Sequence, residues 1–290
     1  MISGSTAVSV WEFSALGTAW DITVPAPLSE ALRAQIAVEL DRIDQVWSRF
    51  RPDSMVAEIA RTAGEYPIAE SDQPMLDLHR RLYEVTNGLV TPLVGQTLDD
   101  AGYGAGYALR PADTVAEVSA WDDVIAGWQG TLRTSRPALI DVGASGKGFA
   151  VDQVSRILAA AGVDEYLVNG SGDIRAGAAP HRIALEHPTD PTKAIGTVMI
   201  ENNAICGSAS NRRAWADWHH IVDPRSSRPT REVLATWVIA DDTMTADGLS
   251  TALFFCPPQK LLRDYRFDYV VVRANGSVEN SHARELELFL

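Results

Sequence analysis

Residues 138–152 read Ala-Leu-Ile-Asp-Val-Gly-Ala-Ser-Gly-Lys-Gly-Phe-Ala-Val-Asp, an apolar run, a small-residue loop with one lysine, then a helix-like pattern. The phosphate-binding loop of nucleotide hydrolases, G-x-x-x-x-G-K-[S/T], cradles phosphates on its amides and holds magnesium with its hydroxyl. Gly146-Lys147 matches it, but the first glycine falls on Asp141 and the hydroxyl position on Gly148. Two fixed positions fail, which excludes that motif. What survives is a loop that presents amides at a helix N-terminus beside Lys147. Alone it fits an anion site or a tight turn with a solvated lysine.

Three later stretches carry chemistry of their own. Asn169-Gly170-Ser171-Gly172-Asp173 joins two strand-like runs. Residues this small let a ligand approach the backbone, and they equally suit a hairpin turn. His219-His220-Ile221-Val222-Asp223-Pro224-Arg225 supplies a histidine, the side chain best suited to move a proton near neutral pH. Asp223 precedes a proline, which disfavours a helix and predicts a strand running into a turn. Arg225 has two uses open to it, pairing Asp223 or binding phosphate. Asp247 and Thr251 share one helix face. Carboxylate and hydroxyl oxygens suit a hard cation such as magnesium, which takes phosphate oxygens as well; a solvated helix aspartate is the alternative.

These residues need elements to hold them. Ser29 predicts the cap of a helix whose face is Leu32, Ile36, Leu40, Ile43 and Trp47. A second helix is expected from about Pro74 to Val85, with Gly88 beyond its end. Further helices are expected at about 148–161 and 244–255, the first with Val151, Val154, Leu158 and Ala161 inward and Gly162 ending it. Residues 15–24 read as a strand and residues 87–113, rich in glycine and proline, as loop. From Leu139 onward short strands alternate with turns, and Asn275-Gly276 reads as a hairpin turn. The mixture predicts an α+β fold with largely antiparallel sheets.

Bulk composition narrows the function classes. Apolar residues are 46% of 290, enough for a sizeable core, and no run reaches the roughly 18 apolar residues of a membrane helix. A formal charge of −13 with no basic run argues against nucleic-acid binding. Cys206 and Cys256 have no metal-ligand spacing and are expected as two buried thiols. The first residues contain no basic segment followed by an apolar one and no lipid-bearing cysteine, so a cytoplasmic location without membrane insertion is expected.

Taken in order, Asp141–Asp152, Val168–Ala176, His219–Pro229 and Met244–Phe254 resemble four motifs of the ApbE family, the FAD:protein FMN transferases. A weaker match covers residues 16–24 and 41–59, so the resemblance spans roughly residues 15–273. It implies an ApbE/T-fold-like α+β chain, mixed and largely antiparallel with flanking helices. The whole, residues 1–290, would be one compact unit, divisible into an N-terminal subdomain (residues 1–135) and a catalytic subdomain (residues 136–290).

The resemblance also implies roles. FAD and Mg²⁺ (or Mn²⁺) would bind, and the FMN half of FAD would pass to a Ser or Thr hydroxyl of an acceptor protein through a phosphoester, releasing AMP. Lys147 and Gly148 would belong to the FAD-binding loop, and Gly146 through its carbonyl, with Asp247 and Thr251, to the metal site. His220 would be the base for the acceptor hydroxyl, with Asp173, Ser208, Asp223 and Arg225 around it. Two other readings use the same residues: an FAD pyrophosphatase with water as nucleophile, and a non-catalytic FAD-binding protein. Departures from the family pattern fall at Met55 and Ala60, at Val90–Gly95, at Ala101-Gly102-Tyr103, at Gly146 and at Ser210. They leave the C-terminal chemistry better supported than the contacts to the flavin and adenine rings.

Overall fold

The alternation of side chains along short strands, and where it is interrupted, decides the architecture. In the computed structural model, which describes residues 8–289, Ser9–Ala15 and Thr18–Val24 pair as an antiparallel hairpin. The single strand expected over 15–24 is split at Leu16 and Gly17, whose φ angles of 52° and 71° are those of a tight primed hairpin turn. Six more strands follow: Leu167–Asn169, Asp173–Ala176, Ala204–Ala209, Val233–Ala240, Asp268–Arg273 and Val278–Asn280. All eight lie in one sheet in chain order, each antiparallel to its neighbours. The α+β expectation with largely antiparallel pairing holds. Strands from both sides of residue 135 belong to this one sheet.

The period of two gives the sheet two buried faces. Cys206 stands in register with Val238, and both face the helices together with Val271. Their neighbours Ile205, Ile239, Val270 and Val272 point the other way, against a three-stranded sheet of His181–His187, Asp190–Ile200 and Leu286–Leu288. Cys206 is buried and Cys256 partly so, both with free thiols.

The helices form as expected, except that Ala161, expected inward, is the exposed C-cap residue of its helix. Ser29 caps Glu30–Trp47, its Oγ accepting from the Leu32 amide at 3.2 Å, and Ile36, Leu40, Ile43 and Trp47 are buried. Gln73–Val85 ends where Gly88, at φ 85°, donates to the Tyr83 carbonyl at 2.7 Å. Gly146–Ala160 and Thr243–Ala252 are the two helices that carry the chemistry. The segment 87–113 is not all loop: Pro92–Val94 forms a 3₁₀ turn and Gly95–Asp100 a helix. Thr91 starts it, its Oγ1 accepting from the Leu93 amide at 3.2 Å, and Pro92 sits where a missing N–H costs nothing. Among the described residues no helix is long and apolar enough to cross a membrane.

The two chemistry-bearing helices touch at Gly148. A methyl group there would stand 2.3 Å from the Thr243 carbonyl oxygen and 2.8 Å from the Asp247 Cβ, so only glycine permits the contact. Asp152, one turn on, accepts from the amides of Thr243 and Met244 at 3.0 and 2.8 Å. Those amides have no partner within their own helix, and the buried carboxylate supplies one. Asp242 caps the same end through the Thr245 amide at 2.7 Å. The start of Thr243–Ala252 is thereby locked to the helix that follows the lysine loop.

Candidate active site

A cavity of about 1120 Å³ opens where the lysine loop, the small-residue turn and the histidine segment converge. Its wall includes Gly146, Lys147, His220, Asp247 and Thr251, drawn from three of the four motifs, and Ser208 from the strand Ala204–Ala209.

Lys147 is half-buried and clasped by the carboxylate of Asp173, which is 1% exposed. Burial works against the ammonium charge, but Asp173 and Asp247 outweigh it and hold the pKa above the ordinary lysine value. The position of Asp173 follows from a two-residue turn: Ser171 and Gly172 have φ of 59° and 99°, and the Gly170 amide donates to the Asp173 carbonyl at 2.9 Å. Asp173 therefore supports the wall from behind Lys147 and keeps one oxygen, Oδ1, buried without a partner.

Asp247 accepts from the Gly148 amide at 3.0 Å. Burial, and then the nearby Asp173, push its pKa well above the usual carboxylate range. Gly148 itself does not line the cavity; it orients Asp247 and admits the helix contact. Ser208 shares a 2.7 Å hydrogen bond with the Ser250 hydroxyl, which donates to the Asp247 carbonyl at 2.8 Å.

His220 follows a short ribbon in which Ala214 and Trp215 pair with His219 and Trp218. Burial first, then the positive charge of Arg213, lower its pKa to about 3, so the imidazole is neutral and able to accept a proton. Its Nδ1 is buried without a partner. Asp223 and Arg225, expected around His220, instead pair with each other at 2.6 Å outside the cavity wall. Of the two uses open to Arg225 the structure shows the ion pair. The turn after Pro224 points both side chains away, and Arg225 is largely exposed.

Several wall residues lie outside the four motifs. Arg49 donates to Asp141 at 2.5 Å and to the Tyr103 carbonyl at 2.6 Å, and its guanidinium lies 4.2 Å from the Phe50 ring centroid. Phe50 stacks on Tyr107 at 5.4 Å and Tyr103 on Trp215 at 5.5 Å, which makes one side of the cavity aromatic. Beneath the loop the buried His79 Nε2 meets the Ser145 hydroxyl at 3.0 Å. Burial raises the Asp141 pKa, but Arg49 and the Gly143 amide more than reverse this. That stabilisation is fully present above the ordinary aspartate value and is lost as the pH falls from there through the lowered value of the folded protein. Arg49→Met is expected to destabilise the protein by about 3 kcal/mol in urea unfolding, because Asp141, whose side chain is 14% exposed, loses its cation and keeps only the Gly143 amide. Adding Asp141→Asn should recover part of the loss; a single substitution with an unchanged urea midpoint would remove the pair from this role.

The model of the ApbE family matches residues 16–268. The FAD:protein FMN transferase of Escherichia coli is 24% identical, the alignment covering 99% of this chain and 90% of that protein. The FAD:protein FMN transferase of Haemophilus influenzae is 29% identical over 87% of this chain and 82% of its own. Among solved structures, the flavin transferase ApbE from Vibrio cholerae superposes with a TM-score of 0.80 at 21% identity, covering 96% of this chain and 98% of that one. The apbe protein of Thermotoga maritima does so at 0.82 and 23% identity, covering 95% and 97%.

Proposed function

This chain belongs to the ApbE family, and on that footing we propose that it transfers the FMN half of FAD to a Ser or Thr hydroxyl of an acceptor protein. One observation carries the reading: Lys147, Asp247, Thr251 and His220, which are spread over a hundred residues of chain, line one cavity with an aromatic side. That side offers flat faces for a flavin or adenine ring. The acceptor hydroxyl oxygen bonds to the flavin-side phosphorus of FAD, the phosphoanhydride bond breaks, and AMP leaves with the bridging oxygen. His220 takes the hydroxyl proton, which an unactivated alcohol does not release at neutral pH. Lys147, oriented by Asp173, adds positive charge beside the phosphates.

The donor set fits a divalent cation. Asp247 is a buried carboxylate whose pKa burial and the nearby Asp173 raise, so its charge is short of a positive partner, and Asp173 keeps an unpartnered buried oxygen. Among the described residues no group of three His, Cys, Asp or Glu forms a ready-made cage. Mg²⁺ does not need one, since it keeps waters and takes substrate phosphate oxygens. The Gly146 carbonyl, Asp247 and Thr251 would hold it. A cation bound there offsets the negative charge that builds on phosphoryl oxygens.

The reading is tested by AMP release from FAD and Mg²⁺ with and without an acceptor protein. AMP that appears only with acceptor, one for each flavin bound covalently, supports transfer. AMP formed equally without acceptor makes the protein a pyrophosphatase, and FAD bound without AMP makes it a carrier.

A further inference from the structure

Five Lys or Arg side chains reach the cavity wall: Arg49, Arg51, Lys147, Arg212 and Arg213. Four are already neutralised. Arg49 pairs with Asp141, Arg51 with Asp44 and Asp53, Lys147 with Asp173, and Arg212 with Glu186. Arg213 has no carboxylate partner and no side-chain hydrogen bond among the described residues. It is also exposed, so nothing in the fold holds its charge.

Its place is set by the ribbon. Ala214 stands in antiparallel register with His219, and the next step outward brings Arg213 and His220 to the same open end. Its side chain lines the same cavity as Asp141, Lys147, His220 and Asp247, and its charge acts on all four. A chain of net charge −13 has here one uncommitted cation, on the wall that also bears the base and the metal-binding oxygens.

We propose that Arg213 is a diphosphate-binding residue of this site, its guanidinium taking phosphoryl oxygens of the dinucleotide substrate. The assignment rests on the FAD reading above. Lys147 shares its charge with Asp173, so among the described residues Arg213 brings the one unshared positive side-chain charge on this wall to a diphosphate. A planar guanidinium with paired N–H donors matches phosphoryl oxygens better than an ammonium does. Occupied by phosphate, Arg213 would also cease to repel a proton on His220, leaving the base stronger when the substrate is in place.

The test uses the full chain and calorimetric titration with FAD, ADP and riboflavin, for wild type, Arg213→Gln and Arg213→Lys. ADP carries the diphosphate without the flavin, and riboflavin the flavin without phosphate. Arg213→Gln is expected to weaken FAD and ADP by roughly ten- to a hundredfold, the worth of a charge-assisted hydrogen bond, and to leave riboflavin within twofold. Arg213→Lys should recover part of the loss. Unchanged ADP and FAD affinities in Arg213→Gln, or an equal loss for riboflavin, would overturn the assignment. Wild-type protein that binds FAD and ADP but flavinylates no acceptor would sink the transferase reading and leave Arg213 in its role; wild type that binds neither would sink both.

Discussion

His220→Ala is expected to slow transfer by about 10²–10⁴-fold, the usual worth of a positioned base, while FAD still binds. The residue faces the cavity from the end of the Trp218–His219 strand, and its buried surroundings keep it neutral with a pKa of about 3. A neutral imidazole can take a proton; a protonated one cannot. In the free protein the acid limb of kcat/KM should therefore lie below the ordinary histidine value, because a depressed pKa moves loss of the base to lower pH. Flavin binding should persist because the aromatic side, Lys147 and the loop are untouched by the change. Equal transfer rates for His220→Ala and wild type would remove His220 from catalysis.

Asp247→Asn is the second large effect. Asparagine keeps an oxygen for the Gly148 amide, now at 3.0 Å, and the contact between the two helices, so the fold should survive. What it loses is the charge that a cation would meet. The Mg²⁺ concentration for half-maximal transfer should rise by at least roughly 10–100-fold, the loss seen when even an indirect metal partner is removed. Transfer at fixed Mg²⁺ should fall with it. An unchanged Mg²⁺ titration would take Asp247 out of the metal site.

The contrast between what was and was not legible in the sequence is physical. Helical faces were readable because Ile36, Leu40, Ile43 and Trp47 recur at helical spacing, and the Asp247/Thr251 pair because one turn of helix separates them. Lys147 and His220 stood out by side-chain chemistry in small-residue surroundings. The strand break at Leu16-Gly17 and the helix at Gly95–Asp100 were hidden because positive φ and a Thr-Pro cap outweigh hydrophobic pattern.

Partners far apart in the chain could not be read at all. Arg49 meets Asp141 across 92 residues, and Asp152 meets the Thr243 amide across 91. The aromatic side joins Phe50, Tyr103, Tyr107 and Trp215 from three segments without a spacing signal. Asp223 and Arg225 show the reverse error. They lie next to His220 in sequence, yet the turn directs them to each other and away from the cavity. Gly148 shows a third kind. The motif marks it as a loop residue, whereas its missing side chain serves helix packing and its amide serves Asp247.

Covalent transfer is the claim on which the rest depends, and intact-protein mass spectrometry of the acceptor reads it most directly. After incubation of this protein with FAD, Mg²⁺ and an acceptor, the acceptor should gain the mass of FMN less one water. The added mass should sit on a Ser or Thr and survive denaturation. An acceptor panel that gains no mass, under conditions where FAD demonstrably occupies the cavity, would contradict the account.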